Sequence, residues 1–140
     1  MKVHIEMYVN ETGSRVSRDI DVDLRRGEFE EHYEVSESAS EQTLYARHRG
    51  RVSGFRVTRN GDAVNITVEF RSEDGLESAF SFAVRVRDLL DGRNEHHVEF
   101  HSLVGRNEYE NLFSDTYVSV LIRYDDEFRE YVLSELALGR

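Results

Sequence analysis

Three residues with metal-ligand chemistry stand at strand spacing within one short segment: His97, Glu99 and His101. In an extended chain, positions i, i+2 and i+4 share a face, so two imidazoles and a carboxylate would point together. Zinc, iron and manganese accept such donors. The spacing limits the arrangement, because same-face neighbours lie about 6.6 Å apart and the outer pair about 13 Å. Two adjacent members can share an ion with ligands from another strand; all three cannot do so easily. The competing reading is the solvated face of an amphipathic strand, where His and Glu are ordinary. His48 reads as a hydrogen-bonded core histidine, and His96 as a loop residue.

Charge is patterned as well. Asp19, Asp21 and Asp23 occupy alternate positions in one segment, and Arg47, Arg49 and Arg51 in another. On neighbouring strands they would form an ion ladder worth a few tenths of a kcal/mol per pair, roughly. On separate strands each is a surface of one sign: the aspartates for a cation, the arginines for phosphate or the acidic face of a protein partner. Alternating charge also keeps exposed strands from aggregating. These six residues are the candidate partner-binding positions.

Other signatures are missing. The sequence has no phosphate-cradling glycine-rich loop, no Ser-His-Asp set in a recognisable context and no basic–aromatic nucleic-acid motif. It therefore indicates neither a catalytic residue nor a cofactor. A net charge of −10 argues against nucleic-acid binding, which needs a basic surface, and favours solubility and a basic partner. The chain has no cysteine, which excludes disulfides and thiolate chemistry and suits a reducing, cytoplasmic setting. No run approaches the roughly 18 apolar residues of a membrane helix, and the opening MKVHIEMYVN lacks a signal-peptide core.

The elements that must position these residues are legible from hydrophobic period. Val3, Ile5, Met7 and Val9 alternate with polar residues, as do Ile20, Val22 and Leu24, which predicts a hairpin. Phe29 to Val35 reads as a short edge strand, and Ser36 to Ser40 as a polar loop. Between Arg51 and Arg87 the pattern predicts a three-stranded meander with turns at Asn60-Gly61 and Ser72–Gly75. The first turn, as a two-residue loop, would set Val57 opposite Val64. Unbroken alternation would bury Arg47, Arg49 and Arg51, which no core tolerates unpaired. A β-bulge at Ser53-Gly54 resets the phase and turns His48 inward. Leu89 to Glu95 reads as a loop, His97 to Val104 and Tyr117 to Tyr124 as strands, and 105–115 as a connection with a helical turn over 109–113. Tyr45, Tyr117, Tyr124 and Tyr131 read as packing residues. Asp125 to 138 reads as the one convincing helix, with Phe128, Tyr131, Val132 and Leu136 on its apolar stripe.

Residues 1–140 thus form one mainly β domain: an antiparallel sandwich or flattened barrel of about eight strands with one C-terminal helix. The leading expectation is a non-catalytic interaction or assembly module, with a protein partner or self-association, acting through sheet edges and charged faces. A metal- or ligand-binding β-barrel using His97, Glu99 and His101, with catalysis open to it, is the alternative. An acidic inhibitor covering a basic site on a partner is the third.

Overall fold

Period-two alternation becomes eight antiparallel strands in the computed structural model, which describes residues 1–37, 40–104 and 114–137. The strands are β1 (Lys2–Glu11), β2 (Ser14–Asp23), β3 (Glu28–Glu37), β4 (Gln42–Asn60), β5 (Ala63–Ser72), β6 (Glu77–Arg85), β7 (Glu95–Val104) and β8 (Ser114–Tyr124). A short helix α1 (Val86–Leu90) follows β6, and α2 (Asp126–Glu135) follows β8. All eight strands lie in one sheet in the order β6-β5-β4-β3-β2-β1-β8-β7, curled into a half-barrel instead of two layers. The edges are therefore β6 and β7.

The inner face is the core. Val3, Ile5, Ile20, Val22, Val64, Ile66, Val68 and Ile122 are buried there, and α2 adds Phe128, Val132 and Leu133. Each fully buried large aliphatic or aromatic side chain contributes about 1.5–3 kcal/mol. The Phe128 ring lies 5.0 Å from Tyr124 and 5.9 Å from Phe55. Asp125 starts the helix by accepting a hydrogen bond from the Phe128 amide at 2.9 Å, which satisfies an otherwise orphan donor. Burial fades along the strands: Val3 and Ile5 are inaccessible, whereas Met7, Val9, Val16 and Val35 on the same face are half-buried.

The predicted bulge is present: the β4–β5 register shifts between Val52 and Gly54. Arg47, Arg49 and Arg51 consequently share the outer face, and His48 stands on the inner one opposite Glu31. The β4–β5 turn differs by one step. Asn60 pairs with Ala63, so Gly61-Asp62 is the loop and Val57 meets Ile66, not Val64. The faces are unchanged, because the register moves by two residues.

Other expectations are corrected. The Phe29–Val35 segment is no short edge strand but the middle of a ten-residue strand between β2 and β4; Arg18 reaches across to Glu31 at 2.6 Å and allows a carboxylate on the inner face. The meander's third strand stops at Arg85, where its partner β5 begins at Ala63. With no partner beyond, the chain turns into α1 and buries Val86 and Leu89. His96 is no loop residue: it lies in β7 opposite Ile122 and hydrogen-bonds the Tyr124 hydroxyl. Tyr45 is 76% exposed and packs in no core. Ser36 and Glu37 extend β3 and Ser40 lies in a turn; the C-terminal helix ends at Glu135, with Leu136 and Ala137 in a turn, instead of running to 138. Positions 38–39 of the predicted polar loop and the predicted helical turn at 109–113 lie outside the described residues.

Candidate functional site

The register brings His4 of β1 opposite Asp21 of β2, and Glu6 opposite Asp19. All four are on the outer face. His4 Nδ1 is 2.6 Å from Asp21 Oδ1, and Nε2 is 3.0 Å from Glu6 Oε1. Arg123 of β8 also reaches the same Glu6 oxygen, at 3.2 Å. Burial alone would lower the His4 pKa, but hydrogen bonds and charge from Glu6 and Asp21 outweigh it and raise it above the ordinary imidazole value. Potential ligand atoms of His4, Glu6 and Asp19 lie within 4.8 Å of one another. Among the described residues this is the grouping of metal-ligand type.

The strand expected to hold a metal is arranged differently. His97 and Glu99 approach to 3.4 Å, but His97 Nε2 is hydrogen-bonded to Ser119 at 2.9 Å. The His101 ring instead packs edge-on against Tyr117, with centroids 6.4 Å apart. The strand spacing holds the two imidazoles apart, as the rise per residue requires.

The charge stripes are not neighbours. β3 separates them and presents Glu28, Glu30 and His32 in between. Arg47 donates to Glu30 at 2.6 Å, and this bond first of all holds the Glu30 pKa below the usual carboxylate range. A depression of about 960 Å³ spans this end of the outer face. His4, Asp21 and Glu30 line it together with Arg49, Arg51 and Arg123, so both signs meet there. A surface of single sign is absent from this part of the face.

The β7 edge has another character. Val98 is 62% exposed and Phe100 59%, both on the inner face opposite Val120 and Val118. The Tyr124 amide donates to the Asn94 carbonyl at 3.0 Å, so even-numbered residues here turn their backbone toward β8. Odd-numbered residues, Glu95, His97 and Glu99 among them, turn theirs toward the open side. At the opposite edge, β6 has Phe82 and Val84 buried and exposes only small or charged side chains such as Ala79, Ser81 and Ala83.

Sequence reasoning assigned no role to His4 or Glu6. The available signal was a His and a Glu two apart on the polar phase of a strand; Asp19 joins them only through the β1–β2 register. The fold is thus an antiparallel half-barrel closed on its inner face by a helix. Comparison with protein-family models, curated proteins and solved structures finds no match to this chain.

Proposed function

We propose that this chain is a non-catalytic interaction or assembly module, and that β7 is the edge through which it engages a protein. The observation that carries the reading is the exposure of Val98 and Phe100 beside outward-turned main-chain groups. An open edge strand is a template for a further strand; main-chain hydrogen bonds supply affinity and alternate side chains supply specificity. The mixed outer face, including Arg47, Arg49 and Arg51 and the Asp19, Asp21 and Asp23 row, would flank such a partner. Amide hydrogen exchange tests the reading, since association must slow the amides of Glu95, His97 and Glu99.

A second reading, divalent-cation binding, is favoured by the His4, Glu6 and Asp19 geometry. Asp21 would hold Nδ1 and leave Nε2 to face the ion, the carboxylate–histidine arrangement that orients metal-bound imidazoles. Titration of the untagged protein with zinc or manganese is expected to saturate at one ion, with His4→Ala abolishing uptake. Losing the Asp21 carboxylate as Asp21→Asn should weaken it by about 10–100-fold. Absence of any uptake by the parent protein would dispose of this reading.

A further inference from the structure

We infer that the partner of the β7 edge is a second copy of this chain, paired antiparallel about a twofold axis at Val98; the inference rests on the reading of β7 as an interaction edge. Self-pairing of an antiparallel strand fixes which residues meet once the centre is chosen. Centred on Val98, each His97 faces Glu99 of the second copy, and each Glu95 faces His101 of the second copy. Acidic and imidazole side chains thus alternate across the junction, four complementary pairs in all, while Val98 meets its own symmetry mate on the inner face. Centring on Glu99 sets that glutamate against itself, and centring on His97 sets Glu95 against Glu99. Like charges directly opposite are destabilising. Charge complementarity therefore selects the Val98 register from its immediate neighbours.

The backbone agrees with that choice. Because Asn94 accepts from the Tyr124 amide, the even-numbered Val98 is turned toward β8 and the odd-numbered His97 and Glu99 toward the edge. In the Val98 register, His97 and Glu99 of the second copy form a hydrogen-bonded pair, and the two Val98 residues form a non-hydrogen-bonded pair with Cα atoms about 4.5 Å apart. The exposed Val98 then gains its symmetry mate as an apolar neighbour, while Phe100 stands opposite His96 of the second copy with Val98 diagonal to it. The β6 edge has less reason to pair, since Phe82 and Val84 are already buried, Phe80 is half-buried against the core and Glu77 is bound to Arg71 at 2.7 Å. A twofold interface uses one patch on both partners and closes at the dimer, so it does not propagate into a fibre.

The chain has no cysteine, so Val98→Cys introduces a single reporter. A Cα separation of about 4.5 Å lies within the roughly 4.4–6.8 Å that a disulfide spans. Mild oxidation is expected to convert the Val98→Cys protein largely to a covalent dimer, while Glu99→Cys, two registers from its mate, cross-links slowly. Equal rates for the two variants would overturn the inference. As a second readout, His97→Glu is expected to weaken self-association in sedimentation by about tenfold, through the two direct like-charge contacts it creates with Glu99 across the junction. The exchanged pair, His97→Glu with Glu99→His, should restore it; failure to restore would also count against the register. Protected β7 amides without cross-linking at position 98 would leave the interaction reading intact and remove this register. A dimer whose β7 amides stay unprotected would remove both.

Discussion

Replacing Phe128 with alanine is expected to cost about 3–5 kcal/mol of folding free energy, the usual range for a fully buried phenylalanine. The ring is inaccessible to solvent and sits between Tyr124 and Phe55, where α2 meets the inner face of the half-barrel. A curled single sheet has no second layer, so α2 takes that place over the β1 end of the strands. The loss is a large share of the roughly 5–15 kcal/mol that stabilises a typical domain, and should lower the melting temperature by roughly 10–15 °C. Urea denaturation followed by circular dichroism reads it directly. A change below about 1 kcal/mol would mean that α2 does not close the core, since deletion of a packed ring cannot be that mild.

Gly50→Ala is the second large effect. A Cβ built on Gly50 would lie 2.1 Å from the Arg71 carbonyl oxygen and 2.7 Å from Ser72 Cα. Both are backbone atoms of the paired strand β5, so neither can rotate away. The two strands must separate or bend, at about 1–3 kcal/mol for overpacking. Gly54 provides the contrast within the same strand. Its added Cβ would meet Glu69 Oε2 at 2.7 Å, the far end of a flexible side chain that can move aside. Gly54→Ala should therefore cost less than Gly50→Ala in the same denaturant titration. The reverse order would show that the approach of β4 to β5 at Gly50 is not as close as described.

The core strands were legible because their inner-face residues obey a strict alternation that composition cannot hide. The bulge at Ser53-Gly54 was legible for a different reason: three arginines cannot enter a core, so the phase had to break between Arg51 and Phe55. Other features depend on pairing that no single segment carries. β3 reads as marginal because Glu31 interrupts its inner face, and only Arg18 on the neighbouring strand explains that carboxylate. The end of β6 at Arg85 is set by where β5 begins, not by the apolar run that continues through Val86. The same limit governed the site. His97, Glu99 and His101 were visible as a pattern along one strand, whereas His4, Glu6 and Asp19 come together across two. The exposure of Val98 and Phe100 was invisible, because their alternation matches that of a buried strand until the sheet order makes β7 an edge.

The central claim is that β7 associates through its open side, and amide hydrogen exchange over a dilution series tests it most directly. Raising the protein from about 5 to about 500 µM, which spans typical weak-interface affinities, should slow exchange at Glu95, His97 and Glu99 while the β6 edge amides remain unchanged. Exchange at those three positions that stays at the rate of unpaired amides throughout, with a monomer in sedimentation at every concentration, would contradict it.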